Sequence, residues 1–209
     1  KKKDKFSILE VGMDRKGEID KLTGIIKPDL GIITNISYAH IKNFDNLDQI
    51  AKAKAEIMNN IIPNGKMILN ADDNYFNFLK KIALKKNIHV ISFSKKNSLS
   101  DIYIKKITSN NINYKIFINI KNTTKSFLIK KNLHPYLHNI LASVAIISEF
   151  YNLKNIDKKL FYNFKLPFSR GDITKTRLNN KVIFLTDESY NSNPLSLKFA
   201  IENFNKQNK

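Results

Sequence analysis

The order of segment types along the first third of the chain constrains the fold more than any other feature. Short apolar runs of strand length, Phe6 to Val11, Leu30 to Asn35, Lys66 to Asn70 and His89 to Phe93, alternate with segments whose apolar residues recur at helical spacing. Those helical segments are Glu18 to Ile26, Leu47 to Ile61 and Tyr75 to Leu84. Strand and helix in alternation predict a mostly parallel sheet flanked by crossover helices, an α/β fold. Ligands of such sheets collect beyond the carboxyl ends of the strands, so the residues just past each strand are the first candidates for a site.

The pattern then changes twice. From Asp101 to Lys130 the apolar residues fall at every second position (Ile112, Tyr114, Ile116, Ile118, Ile120, then Phe127 and Ile129), which predicts a small antiparallel meander forming a flap on one edge. Leu133 to Tyr151 reads as a helix with Leu137, Ile140, Leu141, Val144 and Ile147 on one side, and a shorter helix is expected near Ile156 to Tyr162. After Pro167 a polar stretch leads to a strand, Val182 to Thr186, and a helix with Asn193 as N-cap and Pro194 at its first position. One strand and one helix cannot close a domain. The expected division is therefore one domain over residues 1–168 and the opening of a second α/β domain, cut short, over 169–209.

Composition narrows the function classes. No run of about 18 apolar residues occurs and the first residues lack the apolar core of a secretory signal, so a cytoplasmic protein without membrane insertion is expected. The absence of cysteine excludes a thiolate metal site and a cysteine nucleophile. The formal charge of +18 would suit a polyanion, yet lysine supplies 33 of the 36 basic residues and arginine only 3, spread along the chain among 28 asparagines. A nucleic-acid surface is expected to use more arginine, which reads phosphate and guanine bidentately, so no nucleic-acid partner is expected. A basic binding module that contacts polyanions stays as the alternative.

Lys54 stands out on helical periodicity alone. It falls on the same face as Leu47, Ile50, Ala51, Ile57, Met58 and Ile61, whereas Lys52 points the other way. Two readings are open: a stem lying along apolar surface with its ammonium in water, or an amine perturbed by burial or chemically modified at a polar site. Glu10 ends an apolar strand, with Gly12 and Gly17 marking a sharply turning backbone after it, and His40 follows the strand that ends in Thr34-Asn35. An acidic residue and a histidine at two strand ends could share a cation such as Mg²⁺, or serve only as caps. Arg170, in Ser169-Arg170-Gly171-Asp172, is a rare arginine suited to a phosphate. The run from Asp187 to Pro194 sits between a strand and a capped helix, and turn chemistry there leaves Asp187, Tyr190 and Asn191 unexplained.

In order and spacing these clusters resemble the Mur ligases. EVGMDRKGEI is similar to the family's stretch with an acidic metal ligand, GIITNISYAHIKNF to its Thr-Asn and histidine segment, and AKAKAEI to the helix that carries a carbamylated lysine. NADD, HNILA, FSRGD and DESYNSNP are similar to its later motifs, the last in the form found in the branch that adds D-alanyl-D-alanine. The resemblance implies the family's central ATP-binding domain and the start of its C-terminal Rossmann-like domain. It further implies a monomeric, ATP- and Mg²⁺-dependent amide ligase of peptidoglycan precursor synthesis, joining D-alanyl-D-alanine to UDP-N-acetylmuramoyl-tripeptide through an acyl phosphate.

By the same resemblance Glu10, His40 and carbamylated Lys54 hold Mg²⁺, with Lys54, His40 and Arg170 as the catalytic set. Arg170 contacts the terminal phosphates, Asp187 the ribose and Asn139 the adenine, with Tyr190 and Asn191 near the nucleotide; Asn35 is a further candidate. Two departures stand out. The family's glycine-rich phosphate loop has no counterpart between Lys1 and Glu10, so a piece inactive by itself is expected, and Pro135 stands where the family usually has a histidine. Another Mur or a folylpolyglutamate-type ligase is the alternative within the class.

Overall fold

A computed structural model describes residues 5–38, 43–110, 112–167, 169, 172–189 and 194–207. The parallel sheet expected from the alternation is present. Helix α1 (Glu18–Ile26) leads to strand β1 (Leu30–Ile33), helix α2 (Leu47–Ala55), strand β2 (Lys66–Asn70), helix α3 (Phe76–Lys85) and strand β3 (His89–Ser94). Strands β1, β2 and β3 pair in parallel in that order, Leu30 opposite Lys66 and Lys66 opposite His89.

The central strand shows why the sheet is a middle layer. Met67 and Leu69 pack with Ile33, Met58, Leu79 and Ala83 on one face, and Ile68 packs with Ile91, Leu141 and Val144 on the other. A strand buried on both faces must be apolar at every position, and Met67, Ile68 and Leu69 are fully buried. Helices α2 and α3 cover the first face and α4 (Leu137–Phe150) the second.

The meander is strands β4 (Ile102–Ser109), β5 (Asn113–Ile120) and β6 (Thr123–Lys130). It is not a separate flap. β4 joins β3 in parallel through Phe93 opposite Ile102 and Ser94 opposite Tyr103, so one six-stranded sheet runs β1-β2-β3-β4-β5-β6. Its inward residues, Ile116, Ile118, Ile120, Phe127 and Ile129, enter the same core as α4. The turn between β5 and β6 is Lys121-Asn122, both with positive φ (45° and 71°), as a two-residue hairpin turn requires to follow the strand twist.

Several expected elements differ. Phe6 to Val11 forms no strand: a strand needs a ladder partner, and apolar pattern alone supplies none. Ile8 in this segment is 87% exposed, while Phe6 lies edge-on to Phe150, 4.9 Å between ring centres. The helix expected to reach Ile61 stops at Ala55 and tightens into a 3₁₀ turn, Glu56–Asn59. Tightening a last turn satisfies end carbonyls that an α-turn leaves open.

Lys131–Tyr136 is likewise 3₁₀, with Pro135 inside it. No helix forms at Ile156 to Tyr162, where a short 3₁₀ turn (Leu153–Asn155) is followed by turns. Asn152 and Asp157 accept from the backbone N–H groups of Lys154 and Lys159, local bonds that compete with a helix, and the Lys158 carbonyl accepts from Leu128 on the edge of β6.

Beyond Pro167 the polar stretch is itself a strand, β7 (Asp172–Leu178), paired antiparallel with β8 (Lys181–Asp187) in a separate two-stranded sheet. Its turn, Asn179-Asn180, again has both φ positive (48° and 61°). Helix α5 (Pro194–Gln207) begins at the proline expected to open it; Asn193 lies outside the described residues.

Candidate functional site

The carboxyl ends of β1, β2 and β3 carry a connected set of polar side chains. It begins with Asn70, the last residue of β2 and nearly buried. Its amide donates to the Thr34 carbonyl at 3.0 Å and its oxygen accepts from the Asp72 N–H at 3.0 Å, tying the end of β1 to the loop after β2. Asp73 strengthens the same tie, its carboxylate accepting from the N–H groups of Ile36 (2.7 Å) and Tyr75 (2.8 Å).

Lys54 reaches this place from α2. Ile50, Ala51, Ala53 and Ala55 bury the helix, whereas Lys54 is half-buried and Lys52 exposed. The Lys54 Nζ donates to the Asn35 carbonyl at 2.9 Å. Burial pushes its pKa below the ordinary 10.5, and the negative charge of Asp73 opposes that only in part. Glu56, one turn after the buried face of α2, works elsewhere: its carboxylate accepts from the N–H groups of Gly17 (2.8 and 3.0 Å) and Asp20 (3.3 Å) and caps α1. An acidic group at a helix start satisfies open N–H donors and suits the helix dipole. Gly17 sits at φ 88°, in the left-handed region, where the sequence shows the chain turning.

Asp72 forms the other half of the site. One carboxylate oxygen accepts from the Ser94 hydroxyl at 2.5 Å, and the other from the Lys95 N–H at 2.7 Å, with His138 Nε2 at 2.9 Å from it. Burial pushes the Asp72 carboxyl up, yet the bonds from Ser94, Lys95 and His138 outweigh it and hold the pKa below the usual value. For His138 burial dominates and lowers the pKa, against the pull of Asp72. Ser94 is no nucleophile in this arrangement. Its hydroxyl donates to the carboxylate and accepts from the N–H groups of Lys96 and Asn97, so serine and histidine flank the aspartate without meeting.

Further along the same edge, the Tyr75 hydroxyl donates to Asp48 near the start of α2 at 2.6 Å, which pushes its pKa up to about 12. Asn139, beside His138 in the first turn of α4, has an exposed side chain. Glu10 is exposed in the coil before α1. Asp187 ends β8 and accepts from the Ser169 hydroxyl and the Ser189 N–H, both at 3.0 Å; these bonds, Ser189 first, lower its pKa. His40, Arg170, Tyr190 and Asn191 lie outside the described residues. Among the described residues no group of three or more His, Asp or Glu is arranged to hold a metal.

Of the sequence candidates, then, Lys54 and Asn35 are brought into contact, and Asn139 stands next to a histidine bound to the same strand ends. Asp72, Asp73, Ser94, Lys95 and His138 received no role from sequence reasoning. The signal that finds four of them is position: Asp72-Asp73 and Ser94-Lys95 are the residues at and just past the ends of β2 and β3. His138 has no such signal, since its partner lies 66 residues away.

Comparison with known proteins places the fold and the family. The family model described as the Mur ligase middle domain matches residues 1–147. The UDP-N-acetylmuramoyl-tripeptide--D-alanyl-D-alanine ligase of Rickettsia prowazekii is 32% identical over 203 residues, 94% of this chain and 43% of that protein. The enzyme of the same name from Buchnera aphidicola (subsp. Baizongia pistaciae) is 32% identical over 96% of this chain and 42% of its own length. The chain thus spans less than half the length of these relatives.

Among solved structures, MurF from Acinetobacter baumannii superposes with a TM-score of 0.75 at 23% identity, covering 91% of this chain and 40% of that one. MurF ligase from Thermotoga maritima, solved in complex with ADP, gives 0.72 at 20% identity over 90% of this chain and 42% of that one. These likenesses show the fold, and the match over residues 1–147 shows the family. With the middle-domain match spanning its six-stranded sheet and most of α4, the chain belongs to the Mur ligase family.

Proposed function

We propose that this chain is the nucleotide-binding core of an ATP-dependent ligase that joins D-alanyl-D-alanine to UDP-N-acetylmuramoyl-tripeptide. The observation that carries this reading is Lys54: a half-buried amine at the ends of β1 and β2, bonded to the Asn35 carbonyl and lowered in pKa. A lysine with a depressed pKa offers more neutral amine to carbon dioxide, and carbamylation would turn it into an anionic oxygen ligand. The names of the relatives and the ADP complex of the Thermotoga protein support the substrates and the nucleotide.

The roles follow from position. ATP would phosphorylate the terminal carboxylate of the tripeptide, and the amine of D-alanyl-D-alanine would then attack the acyl carbon and expel phosphate. Negative charge builds in both steps, so preorganised cations matter most. Arg170 is assigned to the terminal phosphates, Asp187 to the ribose hydroxyls, Asn139 to the adenine, and Tyr190 and Asn191 to the nucleotide's surroundings. The oxygens around Lys54, the Asn35 carbonyl and the nearby Asp73 carboxylate, are of the hard type that Mg²⁺ prefers. Glu10, His40 and carbamylated Lys54 would hold it, and Mg²⁺ when bound would neutralise charge on the phosphate oxygens. Asn70 and Asp73 serve by fixing the loop that carries Asn35, so that Lys54 meets a set target.

Residues 1–168 are read as the central domain and 169–209 as the beginning of the next, supported by the change from one sheet to a second beyond Pro167. The test is ADP formation by the full-length protein, given the muramoyl tripeptide and a panel of acceptor amines. Turnover with D-alanyl-D-alanine and not with single amino acids is expected. Turnover with L-alanine or glutamate instead would place the chain in another branch.

A further inference from the structure

Helix α4 is fastened near both ends by side-chain hydrogen bonds. His138, near its start, bonds Asp72, two residues past the end of β2. Glu149, near its end, accepts from Lys66, the first residue of β2, at 2.6 Å and from Lys121 in the turn between β5 and β6 at 2.5 Å. Between the two, Leu141, Val144 and Ala145 meet the sheet through apolar contact alone. Apolar burial is non-directional. Packed side chains limit how far the helix can slide, and the polar contact at each end fixes that end's place along the axis.

Asp72 is well suited to define that position. Ser94 and the Lys95 N–H hold its carboxylate, and Asn70 holds its backbone N–H, so bonds other than that to His138 tie it to the ends of both β2 and β3. Asn139 follows His138 in the first turn and is exposed.

We propose that His138 is a positioning residue for the nucleotide: its hydrogen bond to Asp72 sets the axial place of α4 and so presents Asn139 to the base. This rests on the nucleotide site proposed above. The imidazole itself touches no reacting atom. Misplacement of about 1 Å in a binding group is enough to lower binding or rate by an order of magnitude or more.

The experiment is ADP binding by calorimetry in the full-length protein, together with the KM for ATP and for D-alanyl-D-alanine. His138→Ala is expected to weaken ADP about tenfold and to raise the KM for ATP to match, with kcat and the dipeptide KM little changed. His138→Gln, whose amide can still donate to Asp72, is expected to stay within about twofold of wild type. Glu149→Gln, whose amide oxygen still accepts from Lys66 at the end of α4 remote from Asn139, is expected to change ADP affinity by less than about twofold; a loss equal to that of His138→Ala would show general destabilisation and overturn the proposal. So would unchanged ADP affinity in folded His138→Ala. Should that variant not fold, His138→Asn, too short to span the gap, takes its place with the same expectation. A wild-type protein that binds no ADP would instead remove the nucleotide site itself.

Discussion

Replacing Lys54 by methionine separates the stability of the site from its chemistry. Methionine keeps the unbranched stem and the helix propensity of lysine, and removes only the charge and the bond to Asn35. Losing a hydrogen bond from a charged donor costs about 1.5–3 kcal/mol. Burying an ammonium costs several kcal/mol when burial is complete and less at this half-buried position, so relief of that penalty offsets a loss of similar size. The net change at pH 7 is expected to lie within about 1 kcal/mol of zero.

The pH dependence gives a sharper signature. The folded pKa of Lys54 is below its unfolded value of 10.5, so between the two the unfolded chain binds more protons than the folded one. Stability therefore carries a penalty at lower pH that is relieved as pH rises through that window, and Lys54→Met should lack this rise. Urea unfolding at pH 7 and at pH 9.5 measures both quantities. In the full-length protein the same variant should lose about a hundredfold or more in turnover, as is expected when a ligand to the ion that would neutralise developing charge is removed. A loss above about 2 kcal/mol at pH 7 would refute the argument that burial disfavours this ammonium. Turnover like wild type would take Lys54 out of the chemistry.

Two further substitutions test the frame that holds the site. The Glu149 side chain is 3% exposed and accepts from Lys66 and Lys121, which are 39% and 47% exposed; Glu149→Gln should cost about 1–2 kcal/mol in urea unfolding, the exposed lysines keeping the figure low. Burial raises the Glu149 carboxyl, but the two lysines win and lower it below 4.5, so its stabilisation is full above pH 4.5 and fades as pH falls; the Gln variant should lack that slope, and a parallel pH profile would contradict the pairing. Gly65→Ala would place a Cβ 2.4 Å from Ile61 Cγ2 and 2.8 and 2.9 Å from the carbonyls of Ile62 and Asp29, so backbone must move. A loss of about 1–3 kcal/mol and a lowered Tm are expected, and an unchanged melt would show that the loop yields freely.

Much of the frame was legible because it depends on local pattern. The buried run Met67-Ile68-Leu69 and the period-two run from Ile112 to Ile129 each demand a particular number of covered faces, and the strands β2 and β5 follow. The inward side of α2 can be counted off its helical spacing, which is why Lys54 stands out of place in the sequence. Pro194 opened its helix for the same local reason. Where pattern misled, a partner was missing or a competitor present. Phe6 to Val11 is apolar but has no strand beside it, and Ile156 to Tyr162 has helical spacing but spends backbone groups on Asp157 and the edge of β6.

The contacts at the strand ends were decided by tertiary structure. Apolar periodicity reports which side of an element is covered and carries nothing about what covers it, so the sequence by itself determined that α4 has a buried face and left open where along the sheet that face would rest. His138 and Asp72 lie 66 residues apart and Lys66 and Glu149 lie 83 apart, and only the stacking of α4 along β2 brings each pair within hydrogen-bond reach. Lys54 shows both halves of the matter: periodicity alone turned it inward, and the loop after β1, held by Asn70 and Asp73, gave its amine the Asn35 carbonyl as a partner.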